Sequence, residues 1–145
     1  MPRVYDKTDF YWTFDGDVLV DPEGDLADTA SDPLRSLVQE VRTRIMGDQK
    51  DWELYPETGA TLGDLIGEPN NKLTAETGKA RIIAALTRDG FVSSSDISIK
   101  YIPTGPYSIL YKLVIAVSPT DTNYQTEYVE IKILFDYKDG NLHLV

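Results

Sequence analysis

The stretch YSILYKLVIAV, residues 107–117, decides the fold because its apolar side chains recur at every second position. A period of two places alternate side chains on one face of a β-strand. One face of this predicted strand is entirely apolar or aromatic and consists of Tyr107, Ile109, Tyr111, Leu113, Ile115 and Val117. The other face carries Ser108 and Lys112, but also Leu110 and Val114, which indicates that it is partly covered too.

The neighbouring stretches repeat this alternation. In SDISIKYI, residues 95–102, one face holds Ile97, Ile99 and Tyr101. In EYVEIKILFDY, residues 127–137, one face consists of Val129, Ile131, Ile133, Phe135 and Tyr137. Asp139-Gly140 then favours a tight turn, and NLHLV, residues 141–145, is predicted to be a short returning strand. Successive strands with short connections pair antiparallel, so we expect three long strands and a short terminal one in one sheet.

Two helices are predicted ahead of the sheet. The first begins at Asp32-Pro33, where Asp32 is expected to cap free N–H groups and Pro33 fits the first helical position. Its apolar stripe consists of Leu34, Leu37, Val38, Val41 and Ile45. Gly47 is expected to end this helix in a left-handed conformation.

The second helix is predicted over Thr74–Arg88, with Thr74 as its cap and Gly90 as its terminator. Its apolar side consists of Ala75, Ile82, Ile83 and Leu86. A brief helical turn with Leu62, Leu65 and Ile66 is expected before it, capped by Thr61 and stopped by Gly67.

The N-terminal part favours a hairpin, because β-prone residues Phe10–Phe14 and Asp17–Val20 flank Asp15-Gly16. The following PEGDLADTAS, residues 22–31, is typical of a connecting loop. Helices grouped before strands predict an α+β fold in a single domain over residues 1–145. In this fold a mainly antiparallel sheet of three long strands and a short terminal strand is covered on one face by two helices, with an N-terminal hairpin.

Composition argues against several partners. The net charge of −10 disfavours nucleic acid and anionic membrane surfaces, since both require basic residues. There is no cysteine, so disulfides, thiolate metal sites and cysteine nucleophiles are excluded. No apolar run approaches the length of a membrane span, and the start MPRVYDKTDF lacks the apolar part of a signal peptide. We therefore expect a soluble protein that remains where it is made.

Signals for catalysis are weak. With 24 acidic residues some carboxylate pair is always available, but none stands out in an apolar setting. The acidic stretch DGDVLVDPEGDLAD does not fit a helix–loop–helix calcium loop. His143 is the only histidine, and no glycine-rich phosphate loop or serine elbow occurs. We expect no catalytic residue, no metal and no cofactor.

A binding surface is predicted at the C-terminal strand. NLHLV ends the chain and is apolar at Leu142, Leu144 and Val145, without the Lys, Pro or bulge that usually protects an edge. Such an edge accepts a strand from another chain. The alternative is that NLHLV lies between other strands or folds over its own core.

The order of these features resembles one family. The stretch LVQEVRTRIMGDQKDWELYPETGATLGDLIGEPNN, residues 37–71, followed by GKARIIAALTRDGFV, residues 78–92, is similar to the baseplate wedge family of contractile phage tails. That family, once described as tail lysozyme-like, is now viewed as the sheath initiator, and type VI secretion systems have a corresponding wedge component. The resemblance covers about residues 10–137, through a helix with Arg42 and Arg44, then Glu68-Pro69-Asn70, then Ala85-Leu86 and alternating strands.

The resemblance implies a structural, non-enzymatic protein of the virion baseplate, assembled in the host cytoplasm. Glu68 and Pro69 would contact the wedge scaffold, with Asn70 standing where family members carry Arg; alternatively, Glu68 stabilises the start of the next helix through its dipole. The edge formed by Asn141, Leu142, His143, Leu144 and Val145, or the one near Phe10–Val20, would template the tail sheath protein.

Further partners and two alternative functions are also expected. Tube-side or hub proteins are further expected partners. A peptidoglycan-degrading tail lysozyme is the alternative function, and a small acidic adaptor of unrelated machinery is a third.

Overall fold

The fold is α+β, as predicted, with two α-helices on one face of an antiparallel sheet. The computed structural model describes residues 8–13, 17–51, 53–118, 126–140 and 142–144. The helices are α1 (Pro33–Met46) and α2 (Lys72–Thr87), and short 3₁₀ turns cover Leu62–Leu65, Arg88–Gly90 and Ser94–Asp96. The strands are β1 (Ile97–Pro103), β2 (Ser108–Val117), β3 (Glu127–Asp136) and β4 (Leu142–Leu144), in the order β1-β2-β3-β4.

Strand β2 lies at the centre of the sheet, as its sequence predicts. Its register with β3 runs from Ser108 opposite Asp136 to Val117 opposite Glu127, and β1 pairs along its other side. The alternate residues that face the helices are fully or almost fully buried and comprise Ile109, Tyr111, Leu113, Ile115, Val117, Ile131, Ile133, Phe135 and Tyr137. The assignment of Tyr107 to this face was wrong, because Tyr107 precedes β2 and its side chain is 55% exposed.

Both helices bury the predicted stripes against this sheet face. Leu37, Val41 and Ile45 of α1 are buried, and so are Ala75, Ile82, Ala85 and Leu86 of α2. Burial of each Leu, Val or Ile side chain among them contributes at most about 1.5–3 kcal/mol to the stability of the fold. One cluster of buried side chains thus joins both helices to the sheet.

Helix α1 begins and ends where the sequence predicts, between Asp32 and Gly47, but the expected capping interaction is missing at both ends. The Asp32 side chain makes no capping hydrogen bond, although Pro33 does occupy the start of the helix. Gly47 is extended rather than left-handed, with φ −76° and ψ 150°. The reason is that its carbonyl accepts hydrogen bonds from the N–H groups of Ala60 and Thr61, which requires the chain to leave the helix in an extended conformation.

The start of α2 also differs from the prediction. Asn71, not Thr74, is the cap: the Asn71 carboxamide oxygen accepts a hydrogen bond of 3.0 Å from the Thr74 N–H. Thr74 lies inside the first turn and is buried. At the other end, the Arg44 guanidinium of α1 donates to the carbonyls of Ala85 and Arg88, which stabilises the C-terminus of α2.

The 3₁₀ turn before α2 also begins differently. Thr61 makes no capping hydrogen bond there; its backbone is left-handed, and its hydroxyl accepts from the Gln49 N–H.

Residues 8–13 and 17–29, called the N-terminal unit below, form three short extended segments. The predicted pairing of the first two segments is present as the bridge Trp12–Val18, whereas Phe14, Asp15 and Gly16 lie outside the described residues. The N–H of Tyr11 donates to the Ala27 carbonyl, that of Ala27 to the Leu19 carbonyl, and that of Leu19 to the Tyr11 carbonyl. Each segment is therefore hydrogen-bonded to both of the others. The interpretation of residues 22–31 as a loop was therefore incomplete, because Leu26 and Asp28 form bridges.

Candidate functional site

Among the described residues, β4 is the last strand on its side of the sheet, as expected from the sequence. Strand β4 pairs with β3 on one side only, through Phe135–Leu142, Leu134–His143 and Ile133–Leu144. Leu142 is half-buried and packs against the core. Asn141 and Val145, the other two members of the predicted edge, lie outside the described residues.

The connection into β4 is longer than the two-residue turn predicted from Asp139-Gly140. Of the described residues in this connection, only Gly140 has a positive φ, at +74°, and its N–H donates to the Asp136 carbonyl at 2.9 Å. Asp139 does not adopt the positive φ that a tight hairpin turn requires at both central positions. The turn prediction was wrong in this respect, although the returning strand it implied is present.

A longer stretch of open edge lies on β3 itself and was missed from the sequence. Strand β4 covers only Ile133–Phe135, so within the described part of the chain no strand pairs with the outer side of Glu127–Lys132. Alternate residues of a strand direct both N–H and C=O to the same side, so three of these six residues offer unpaired groups. The signal available in the sequence was the difference in length between β3 and NLHLV.

The side chains along this stretch suit a docked strand. Ile131 is buried and Val129 half-buried on the helix side, whereas the Tyr128 side chain is 71% exposed on the other side. Lys112 and Lys132 lie 3.1 and 3.6 Å from the Glu130 carboxylate. The hydrogen bond from Lys112 and these charges lower the pKa of Glu130, so it remains ionised.

The opposite edge, β1, is better protected against strand addition. It ends at Pro103, which has no N–H to donate to a docked strand. Its Tyr101 hydroxyl donates to the Glu76 carboxylate of α2 at 2.7 Å, which fixes this edge beneath the helix. The β3–β4 edge is therefore the one that the structure leaves more accessible.

The loop Glu68-Pro69-Asn70 lies at the same end of the sheet as the start of β4. Gly67 N–H donates to the Tyr137 carbonyl at 2.9 Å, which links this loop directly to the β3–β4 connection. Glu68 and Pro69 are exposed, and the Glu68 carboxylate makes no ion pair with any described residue. The structure thus brings together two sites that the sequence suggested separately.

Asn70 has a structural role within this loop. Its carboxamide nitrogen donates to the carbonyls of Gly105 and Ser108, at 2.8 and 3.1 Å, and so fastens the loop to the β1–β2 turn. Both donor N–H groups of Asn70 are thus used inside the chain, and its contact with a partner stays a prediction. No comparable bond holds the Glu68 side chain among the residues that the structure describes.

The N-terminal unit is held by one face of α1. The Gln39 carboxamide accepts from Trp12 N–H and donates to the Phe10 carbonyl, both at 2.9 Å, so it pairs with the segment as a neighbouring strand would. Arg35 donates to the Trp12 carbonyl and stacks over the Tyr11 ring. Sequence periodicity did not reveal this contact, since Gln39 lies opposite the apolar stripe of α1.

Two of the cavities in the described part of the chain border α1. A cavity of 270 Å³ between the N-terminal unit and α1 is lined by Trp12, Thr13, Arg35, Val38, Gln39, Arg42 and Thr43, with no carboxylate. A second one has Asp9, Glu40 and Asp89 in its lining, but Glu40 is paired with Arg44 at 3.0 Å. The described residues contain no group of three or more metal-ligating side chains.

Raised pKa values are found on tyrosines in the fold. Burial raises the pKa of Tyr111 and Tyr137, whose hydroxyls lie 3.4 Å apart in the core. The hydrogen bond to Glu76 raises the pKa of Tyr101. The Tyr101 and Tyr111 hydroxyls thus stay protonated and donate hydrogen bonds from the sheet to α2, whereas the Tyr137 hydroxyl contacts that of Tyr111.

Neither α-helix in the described ranges is both long and apolar enough to cross a membrane. Comparisons of the chain with protein-family models, with curated proteins and with solved structures found no match.

Proposed function

We propose that this protein is a non-enzymatic structural component of a contractile tail baseplate that starts polymerisation of the sheath. In this proposal a strand of the tail sheath protein pairs with the outer side of Glu127–Lys132, in line with β4, and this stretch together with β4 (Leu142–Leu144) is called the β3–β4 edge. Glu68 and Pro69 contact the wedge scaffold, and tube-side or hub proteins are further neighbours. The protein resides in the virion baseplate, after assembly in the host cytoplasm, and needs neither nucleic acid nor a membrane.

The observation that carries the proposal is the unpaired outer side of Glu127–Lys132 beside a β4 of three residues. A strand docked on these six residues would form about six main-chain hydrogen bonds, each worth about 0.5–1.5 kcal/mol net. The exposed Tyr128 side chain adds apolar area that the partner would bury. The order of sequence features shared with sheath initiators supplies the identity of the partner.

A blocked edge tests this directly. Leu144 lies opposite Ile133, so a continuation of β4 in the same register would run opposite Lys132 to Glu127. An alternating β-prone extension of five residues after Val145 has the length to reach Glu127. It should cover the edge and abolish sheath initiation by purified sheath protein on assembled baseplates. A Gly/Ser extension of the same length is the control, and it should initiate normally.

Deletion of residues 141–145 tests the β4 part of the edge. We expect a soluble protein that fails to start sheath polymerisation. If both the strand-forming extension and the deletion started sheath growth at the wild-type rate, with the fold intact, the β3–β4 edge would not be the template.

The scaffold contact has its own test. Glu68→Ala should weaken binding to the wedge scaffold while leaving the melting temperature unchanged, because its carboxylate makes no ion pair with the described residues. Asp64→Ala is a matched control, since it removes an exposed carboxylate from the turn just before this loop, although it also breaks a pair with Arg81. Unchanged scaffold binding in Glu68→Ala would reject the contact.

The alternative of a tail lysozyme predicts a measurable activity. A purified-cell-wall assay should show no release of peptidoglycan fragments by the protein alone. Lysis that is lost on substitution of Asp9 or Glu40, the carboxylates of the second cavity, would replace the assembly proposal with the enzymatic one.

A further inference from the structure

The face of the sheet that points away from the helices carries a row of lysines. Lys100 lies opposite Lys112 in the register of β1 and β2, and Lys112 lies opposite Lys132 in that of β2 and β3. Adjacent strands are about 4.8 Å apart, so the three backbone positions fall within about 10 Å. We call these three residues the lysine row.

The lysine row is unfavourable for the isolated chain. Like charges directly opposite each other on a sheet destabilise it. Glu130 is shared between Lys112 and Lys132, and Lys100 makes no ion pair with a residue in the described ranges. In a protein with 24 acidic and 14 basic residues, such a row is a surface that suits a negatively charged partner.

The neighbouring row on this face is apolar. Ile102, Leu110 and Leu134 lie opposite one another in register, and the Ile102 side chain is 62% exposed. A partner that fits both rows must therefore combine carboxylates with exposed apolar side chains.

The chain itself carries a segment with that chemistry. Residues 8–32 contain eight acidic residues and no lysine or arginine. The N-terminal unit also exposes large apolar side chains, with Phe10 at 53%, Val20 at 61% and Leu26 at 49%.

These two surfaces lie on opposite sides of the molecule. Leu37, Val41 and Ile45 direct one face of α1 into the core, whereas Arg35 and Gln39 hold the N-terminal unit on the opposite face. The lysine row faces away from the helices, on the far side of the sheet. While Arg35 and Gln39 hold the N-terminal unit on α1, it cannot also contact the lysine row of the same molecule.

We propose that the lysine row binds the acidic N-terminal unit of a second copy of this chain. The contact joins two different surfaces, so it is head-to-tail and propagates into a ring or an open chain rather than a two-fold dimer. The contact uses the sheet face that carries the lysine row and not the β3–β4 edge. It does not rest on the proposed baseplate function.

Salt and concentration dependence provide the first test. In about 0.01 M salt the mass of the purified full chain, measured by analytical ultracentrifugation, should rise with concentration beyond that of a monomer. In about 1 M salt, where the screening length is about 3 Å rather than 30 Å, it should return to the monomer. A monomer at every concentration in low salt would overturn the proposal.

Charge reversal provides the second test. Lys100→Glu should weaken association about tenfold or more, because attraction to the acidic unit becomes repulsion. It should not harm the fold, since a glutamate side chain at this register position would face Lys112 as an opposite charge. Lys72→Glu, at the exposed start of α2, is the matched control with the same change in net charge, and it should associate as the wild type does.

Two variants with reversed charges on the two proposed surfaces test whether association depends on this particular contact. Asp17→Lys with Glu23→Lys should also be monomeric, whereas Glu53→Lys with Glu57→Lys, exposed outside the N-terminal unit, should not be. Mixing the Asp17/Glu23 variant with Lys100→Glu should restore association. Association that is equally weakened by the control variants, or that the mixture fails to restore, would show that net charge rather than this contact is responsible.

Discussion

Gly78 is the residue through which α2 makes its closest approach to the sheet. A Cβ atom added at Gly78 would overlap the Tyr111 hydroxyl oxygen and lie 3.0 Å from Cζ of the same ring. That hydroxyl donates to the Ala75 carbonyl at 3.1 Å and contacts the Tyr137 hydroxyl. We therefore expect Gly78→Ala to destabilise the protein, although alanine favours a helix more than glycine does.

The magnitude follows from three contributions. Overpacking a close-packed core costs about 1–3 kcal/mol. Loss of the Tyr111–Ala75 hydrogen bond adds about 0.5–1.5 kcal/mol. The gain in helix propensity offsets about 0.8–1 kcal/mol. The free energy of unfolding should therefore fall by about 0.5–4 kcal/mol.

Urea denaturation measures this change in the free energy of unfolding. The variants compared with the wild type are Gly78→Ala, Ala80→Gly, Tyr111→Phe and the double variant that combines Gly78→Ala with Tyr111→Phe. Ala80→Gly, at an exposed position of α2, changes helix propensity alone and should lower the free energy of unfolding by about 1 kcal/mol. In the Tyr111→Phe background the hydroxyl is absent, so Gly78→Ala should cost less than in the wild type, with a coupling of about 1 kcal/mol or more. A stabilisation of about 1 kcal/mol by Gly78→Ala in the wild type would refute the close approach.

Three further predictions concern other parts of the fold. Burial raises the pKa of Tyr111 and Tyr137 above their ordinary value of 10.0, so the folded state holds protons that the unfolded chain releases. The stability they contribute is complete below about pH 10 and falls above it by up to about 1.4 kcal/mol per pH unit for each tyrosine, which unfolding at pH 9–12 will reveal. Gln39→Ala should speed amide hydrogen exchange of Tyr11, Leu19 and Ala27 by about tenfold without exposing the sheet, since it removes the two Gln39 hydrogen bonds to the N-terminal unit and leaves only the Arg35 contacts to hold it on α1. Asn70→Ala should cost about 1–2 kcal/mol in thermal unfolding, because the carbonyls of Gly105 and Ser108 lose their donors.

The core of this fold could be predicted from sequence because its signals are local and repetitive. Alternation over residues 107–117 and 127–137 determines which side chains face the helices, and a one-residue slip would expose all of them. The stripe of α1 similarly follows from a period of 3.6 residues. Both patterns depend on burial, which hydrophobicity reports directly.

The features that failed depend on single polar contacts between distant residues. Asp32 and Asn71 are both good capping residues, yet only Asn71 forms the bond, because the backbone beyond each residue is set by other elements. Asn70 looked like part of a contact loop, but its amide fastens that loop to the β1–β2 turn 35 and 38 residues away. Sequence spacing carries no information about such partners.

The candidate site illustrates the same limit. An apolar C-terminal strand at the edge was predicted from NLHLV, and β4 does lie there. The open stretch of Glu127–Lys132 depends on how little of β3 this strand covers, and that follows only from the register.

The proposed role in the baseplate is tested most directly by a cryo-electron microscopy structure of a contractile tail base assembled with this protein. We expect a strand of the sheath protein to be hydrogen-bonded along the outer side of Glu127–Lys132, in line with β4. If that side of β3 faces solvent in the assembled base, or pairs with a segment of the same chain, the proposed role in starting the sheath is contradicted.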